Sequence, residues 1–307
     1  MIDLTARRVS NISYMGGTII YSDRCPEFKT EEGMQKAIET CHRNNIDAIV
    51  AIGGDGTFRG ATDLSIRGIP TIGVTGSIDN DITATDYTVG FDTAMNTVLE
   101  CVDRLRDTCE SHARCNVVEV MGRDCGEIAL KTGIASGAVA IAIPEVPFDE
   151  DAAIARIKAA KADGKRGMLV IVSEGVFTAD GKPYSEVLAK KIGAETGVET
   201  KFARLAHIVR GGNPTLRDRL TATEMGVFAV DLLLDGKSDA IVAEIDGKIV
   251  STDIRFALTT DKMYKKKLKD GQLDGFSAEE IDAMKAICAK READIKRLYD
   301  ISLGLCR

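Results

Sequence analysis

Two apolar runs, each emptying into a glycine-containing loop, constrain this chain more than any other feature. Asp47-Ala48-Ile49-Val50-Ala51-Ile52 leads into Gly53-Gly54-Asp55-Gly56-Thr57, and Pro70-Thr71-Ile72-Gly73-Val74 leads towards Gly76-Ser77-Ile78-Asp79-Asn80-Asp81. Runs without polar alternation read as strands of a parallel sheet, which is covered on both faces and so needs apolar side chains throughout. Ligands of open α/β sheets bind beyond the carboxyl ends of such strands. The two loops therefore set bare glycine backbone beside the carboxylates of Asp55, Asp79 and Asp81, the outline of a phosphoryl-transfer site.

The rest of the chain alternates in the same way. Asn116–Val120, Ala138–Ile143 and Met168–Val172 are further strand-like runs, while Glu31–Asn44, Asp92–Cys109, Asp124–Ser136, Asp149–Ala162 and Leu216–Leu234 carry helical periodicity. This is the signature of an α/β fold. Ala240–Ile245 and Lys248–Ser251 flank Asp246-Gly247, a pair suited to a type I′ hairpin turn. Ser277-Ala278-Glu279-Glu280 reads as a capping box opening a charged helix towards Tyr299. The first residues are polar and irregular up to Gly16-Gly17-Thr18-Ile19-Ile20, so the chain enters the α/β pattern after its beginning.

Length and charge narrow the partners. With 307 residues, 44% of them hydrophobic, there is room for two domains and a full core. A net charge of -7 argues against nucleic acid or an anionic membrane as the main partner. No apolar stretch is long enough to span a bilayer, and the start lacks the apolar centre of a secretory signal. The eight cysteines include no C-x-x-C pair and read as reduced thiols of a cytoplasmic protein, and three scattered histidines make a zinc site a poor fit.

Each candidate site residue also has a plainer reading. Gly53–Thr57 could also serve simply as a tight strand-to-helix turn, glycine-rich turns being common in α/β folds. As a phosphate loop, its glycines let a triphosphate lie on the backbone, the next helix aims N–H groups at it, and Asp55 holds magnesium. That motif alone does not choose among sugar, NAD and lipid kinases. Asp79 and Asp81 would suit a turn, but beside a phosphate loop one carboxylate can take a hydroxyl proton while the other supports the metal. Met121-Gly122-Arg123 follows a strand, where an arginine can stabilise a transferring phosphoryl group. His207 and Arg210, in a glycine-rich loop, suit a terminal phosphate.

Taken in order, GGDG, GSIDND, GFDTA, DRLRDT, SH-x-R, VVEVMGR, PEV, SEG and HI-x-RGG make the chain resemble the 6-phosphofructokinase family of the bacterial ATP-dependent type, from Met1 to about Asp261. The resemblance implies transfer from MgATP to the 1-hydroxyl of fructose 6-phosphate, giving fructose 1,6-bisphosphate in glycolysis. It further implies Asp79 as the base and Arg123 as the residue stabilising the phosphoryl group. Arg24, Cys25 and Gly54, Asp55, Gly56 and Thr57 match ATP contacts, with Asp55 at the metal. Ser77, Ile78, Met121, Gly122 and Glu174 match sugar contacts, and His207 and Arg210 the 6-phosphate cradle. Arg114 matches an arginine reaching a neighbouring subunit's substrate, which implies a homotetramer with shared active sites. Pyrophosphate-using relatives carry Asp at position 56 and Lys at position 76; the glycines here leave room for a nucleotide.

The fold implied is two doubly wound α/β domains with a cleft between them, the first shortened at its N-terminus. The expected boundaries are 1–90 plus 209–259 for the ATP domain, and 91–208 plus 260–307 for the sugar-phosphate domain with a helical extension. The family's opening strand and its glycine loop have no counterpart here, so a misplaced start or a fragment is expected. Lys201 stands where the family has an arginine on the 6-phosphate; Arg204, taken to lie one helical turn on, is the expected substitute. Arg106 and Lys165 survive at the effector site, but Val139 and Asp163 replace charged partners, so weak or altered regulation is expected. The rivals are a non-catalytic phosphosugar-binding or regulatory subunit, and a pyrophosphate-dependent phosphofructokinase.

Overall fold

A computed structural model describes residues 2–305. In chain order the elements are α1 (Ala6–Val9), α2 (Glu31–Arg43), β1 (Ile49–Gly53), α3 (Asp55–Ile66), β2 (Thr71–Thr75), α4 (Phe91–Ser111), β3 (Cys115–Val120), α5 (Glu127–Ala135) and β4 (Ala140–Ala142). They continue with α6 (Glu150–Ala162), β5 (Met168–Ser173), α7 (Tyr184–Thr196), β6 (Thr200–Arg204), α8 (Leu216–Leu234), β7 (Ala240–Ile245), β8 (Lys248–Asp253), α9 (Ile254–Tyr264) and α10 (Ala278–Leu305). Short 3-10 turns cover Pro26–Lys29 and Ala206–Arg210. Cys306 lies outside the described residues.

The chain divides into two compact units. The first holds residues up to Ser77, Ile82–Gly90 and Asn213–Arg291. Its sheet runs β1-β2-β7-β8, the first three strands parallel and β8 antiparallel to β7. Phe58 and Ala61 of α3 and Ile254 and Ala257 of α9 pack with Ile82, Ala84 and Ile241. Met225, Ala229 and Leu232 of α8 cover Ile72, Val74 and Val242, which alternate with Ile241 and so face the other side. The β7–β8 turn is Asp246-Gly247 at φ 50 and 72, the double left-handed geometry that the Asp-Gly pair promises. Among the described residues β1 pairs only with β2, and Leu216, Leu220, Val227, Val230 and Leu234 make an exposed apolar stripe along α8.

The second unit holds Ile78–Asp81, Phe91–Gly212 and the chain from Glu292 onward. Its sheet is wholly parallel, in the order β4-β5-β3-β6. Every residue of β3, β4 and β5 is buried, as strands covered on both faces must be. Ala153, Ile154 and Ile157 of α6 and Leu188, Ala189 and Ile192 of α7 pack against Cys115, Val117, Met168, Val170 and Val172. On the opposite face Gly133 of α5 seats against Ile141, leaving no room for a Cβ. The connection from β3 leads to β4 and that from β5 to β6, in opposite directions across the sheet, so neighbouring strands β3 and β5 form a topological switch point.

Three details differ from the sequence reading, the first being that residues 209–212 group with the second unit rather than the first. Residues 260–291 group with the first unit: Asp261 accepts from Thr83 Oγ1 at 2.8 Å, and Lys290 pairs with Asp246 at 2.7 Å. Residues 78–81 group with the second, through the contacts described below. The capping box forms as read, Ser277 N donating to Glu280 Oε2 at 2.7 Å and Glu280 N to Ser277 Oγ at 3.2 Å.

Candidate functional site

In the first unit the strand ends of β1 and β2 lie side by side, because Gly76 N donates to Gly53 O at 3.0 Å. A Cβ on Gly53 would fall 2.3 Å from Thr57 Oγ1, so glycine is needed for the turn to close. Gly54 caps α3 with no side chain, leaving the helix's first N–H groups to a ligand or water. Cβ atoms on Gly54 and Gly56 would meet nothing within 4 Å, so the space above this helix start is open. Asp55 opens α3 and is held by Arg59, Nη2 to Oδ2 at 2.5 Å and Nε to Oδ1 at 3.2 Å. Arg24 and Cys25 are exposed just before the Pro26–Lys29 turn, whose Phe28 ring lies against Gly60 of α3. Ser77 closes the β2 loop, its N–H on Val89 O at 3.1 Å and its carbonyl accepting from Thr88 Oγ1 at 2.6 Å.

From Ser77 the chain passes through half-buried Ile78 into the buried run Asp79, Asn80 and Asp81 of the second unit. Here the β3–β5 switch point is occupied. Asp81 Oδ2 accepts from Arg123 Nη1 at 3.2 Å. Arg123 follows buried Met121 at the end of β3, and Gly122 and Arg123 both have positive φ, 147 and 55. Glu174, at the end of β5, holds that turn, its Oε1 accepting from Arg123 N at 2.9 Å and Gly122 N at 3.3 Å. A Cβ on Gly175 would strike Arg123 O at 2.3 Å, so this close backbone approach demands glycine.

Asp79 sits in the field of all these charges. Burial pushes its carboxyl up to about 6, Asp81 and Glu174 push the same way, and Arg123 and Arg210 oppose them. A carboxylate tuned near neutrality suits a general base. Arg210 and His207 are exposed on the Ala206–Arg210 turn, and Arg210 lies close enough for its charge to act on Asp79.

The structure does not bring Arg114 and Lys201 to this group. Arg114 immediately precedes β3, and Lys201 is second in the parallel, register-matched β6. Both lie at the opposite strand end from Arg123 and share Glu199, each at 2.9 Å; these hydrogen bonds hold the Glu199 carboxyl down at about 2. Arg204 is no substitute for Lys201. The segment is a strand, not a helix, so residues three apart point to opposite faces. Its guanidinium is bound to Glu119, Nε to Oε1 at 2.5 Å, and Ser185 Oγ donates to the same carboxylate.

Asn80 and Glu127 were missed in the sequence. Asn80, at φ 50, donates through Nδ2 to both Glu127 oxygens at 3.2 Å. The available signal was an asparagine between two acids, since Asn tolerates the left-handed region. Among the described residues no group of three or more His, Cys, Asp and Glu is arranged to hold a metal, and no helix is long and apolar enough to cross a membrane.

Residues 1–233 match the family model described as Phosphofructokinase. An ATP-dependent 6-phosphofructokinase of Clostridioides difficile is 45% identical over 267 residues, 87% of this chain and 82% of that protein. Another, of Brevibacillus brevis, is 49% identical over 256 residues, 83% of this chain and 78% of its own. The solved phosphofructokinase of Saccharomyces cerevisiae superposes with a TM-score of 0.78 at 30% identity, covering 92% of this chain and 39% of that much longer one.

Proposed function

The chain belongs to the phosphofructokinase family, and we propose that it transfers the terminal phosphoryl group of ATP to the 1-hydroxyl of fructose 6-phosphate, the committing step of glycolysis. The observation that carries this reading is Asp79: a buried carboxylate, pushed up to about 6, at a switch point beside Arg123 and in the field of Arg210.

Asp79 accepts the proton of the 1-hydroxyl as that oxygen attacks phosphorus. Arg123, fixed at its backbone by Glu174 and at its guanidinium by Asp81, bears on the charge of the transferring group. Ser77, Ile78, Met121 and Gly122 contact the sugar, and Glu174 adds its carboxylate. His207 and Arg210 take the 6-phosphate through charge-assisted hydrogen bonds. The uncapped start of α3 and Gly54 to Thr57 receive the donor's phosphates, with Arg24 and Cys25 on the nucleotide.

Asp55 fits magnesium, because Mg2+ commonly takes one or two carboxylates and completes its shell with water and substrate phosphates. Arg59 neutralises that carboxylate and would turn away from it on binding. When bound, magnesium supplies positive charge against the donor phosphates.

Arg114 and Lys201 serve a neighbouring copy's sugar phosphate in a homotetramer. Their place at the strand end opposite Arg123 supports this, since they do not reach their own chain's Asp79. The cytoplasm, where thiols stay reduced, suits the seven free cysteines among the described residues.

Steady-state turnover of the purified chain with ATP and fructose 6-phosphate tests the reading. ADP and fructose 1,6-bisphosphate should appear in equal amounts, with no product when pyrophosphate replaces ATP. Sugar binding with neither ATP binding nor turnover would instead mark a regulatory subunit.

A further inference from the structure

We infer that Glu127 is a positioning residue for the reaction: by tethering Asn80 in a left-handed backbone conformation, it aims the two flanking carboxylates, Asp79 and Asp81. The inference deepens the proposed function and rests on it for its kinetic consequence.

Asn80 is 1% exposed and stands at φ 50. Asparagine tolerates that region better than most L-residues, but the negative-φ alternative stays open to it, so a buried tether is what keeps a single conformation. Both Glu127 oxygens accept from Asn80 Nδ2 at 3.2 Å, and Glu127 is itself only 8% exposed. Glu127 is fixed in turn. It is the first residue of α5, where the helix dipole favours a negative charge, and Lys131 Nζ, one turn on, reaches its Oε2 at 2.7 Å. Lys131 rests over the Phe91 ring, 4.7 Å from its centroid, which limits its freedom to leave. The Asn80 carbonyl meets the buried Cys125 thiol, Sγ to O at 3.9 Å, so the residue is held at both its side chain and its backbone.

The consequence follows from chain geometry. The peptides joining Asn80 to Asp79 and to Asp81 turn with its φ and ψ. Release of Asn80 towards negative φ swings both carboxylates by several times the roughly 0.5 Å that a reacting group tolerates. Asp81 would then leave Arg123, and Asp79 would leave the path of the hydroxyl proton. In this scheme Glu127 acts through Asn80.

Four proteins decide it: Glu127→Ala, Glu127→Gln, Asn80→Gly and the Asn80→Gly/Glu127→Ala double variant, each crystallised and assayed beside the parent. In Glu127→Ala, Asn80 should move to negative φ and kcat should fall about 100-fold, with the fructose 6-phosphate KM changed less than about 3-fold. Glu127→Gln keeps one acceptor and should lose only about 10-fold. Glycine needs no tether at positive φ, so the double variant should match Asn80→Gly alone. Asn80 remaining near its parent φ in Glu127→Ala overturns the inference, as does a double variant that carries the full Glu127→Ala loss on top of Asn80→Gly. If Glu127→Ala does not fold, Glu127→Met, which fills the space but offers Asn80 no acceptor oxygen, decides between the same two outcomes by its Asn80 backbone. A parent chain without phosphoryl transfer would overturn the proposed function, while the crystallographic comparison still judges the tether.

Discussion

Asp81 and Arg123 form an ion pair at 3.2 Å in which the carboxylate side chain is 6% exposed and the guanidinium 67%. The asymmetry matters. Asp81 is the buried anchor, and Arg123 presents most of its charge outward, where a phosphoryl group can meet it. Because Arg123 also lowers the neighbouring Asp79 carboxyl, its loss should act twice. Arg123→Ala should reduce kcat by roughly 10²- to 10³-fold and move the acid limb of the pH–rate profile upward, and Arg123→Lys should restore the limb better than the rate. A kcat–pH series on the three proteins checks both effects.

As the proposed base, Asp79 sets the expected profile of the parent. With the Asp79 carboxyl at about 6 and the ionised form active, kcat should rise with pH through about 6 and level off above it. Asp79→Asn should lose nearly all turnover with little change in sugar KM. Its stability effect has a definite sign. The folded state holds the Asp79 proton more tightly than the unfolded chain does, so this group favours folding below about 3.8 and loses that contribution as pH rises through about 6. Asp79→Asn should therefore raise Tm at pH 8 by an amount worth at most about 3 kcal/mol, and have little effect at pH 3.5. Calorimetry at the two pH values measures it.

A buried knot in the first unit should dominate that unit's stability. Tyr87 is 2% exposed and donates its hydroxyl to Asp218, whose Oδ1 also accepts from Gly90 N at 2.7 Å; Arg217 stacks 3.9 Å from the Tyr87 ring. Tyr87→Phe leaves the buried carboxylate short of a donor and should cost about 1–3 kcal/mol in thermal unfolding. Asp218→Asn, which keeps an acceptor for Gly90, should cost less than Asp218→Ala.

Open space at Gly56 separates folding from donor choice. A Cβ there meets nothing within 4 Å, so Gly56→Asp should leave Tm nearly unchanged. Its carboxylate would crowd and repel the nucleotide's α-phosphate, and kcat/KM for ATP should fall at least about 10-fold. Thermal unfolding and ATP kinetics on the same preparation distinguish this from misfolding.

Legibility of the fold tracked apolar content and local turn chemistry: β1 is legible although none of its residues is buried. The strands β1, β2, β3 and β5 and helices α2, α4, α6 and α8 are visible as apolar runs or periodic stripes, and the Asp246-Gly247 turn and the Ser277–Glu280 capping box announce themselves by local chemistry. β6 is hidden because Thr200-Lys201-Phe202-Ala203-Arg204 is an edge strand with charged residues near both ends, and a helical spacing of Lys201 and Arg204 is wrong there. The grouping of residues 260–291 with the first unit escapes a sequence reading because it rests on single polar contacts such as Asp261 to Thr83, which no periodicity encodes.

The placement of the proposed site residues was legible in local sequence: apolar strand followed by a glycine-containing loop brings Gly54, Asp55, Asp79 and Arg123 to strand ends in a parallel sheet. Their tuning was decided only by the tertiary structure. Burial of Asp79, the tether of Asn80 on Glu127 and the clasp of Glu174 on the Gly122–Arg123 turn join residues 42 to 52 positions apart. Desolvation and left-handed backbone are properties of an environment assembled from distant segments, so a one-dimensional pattern does not carry them.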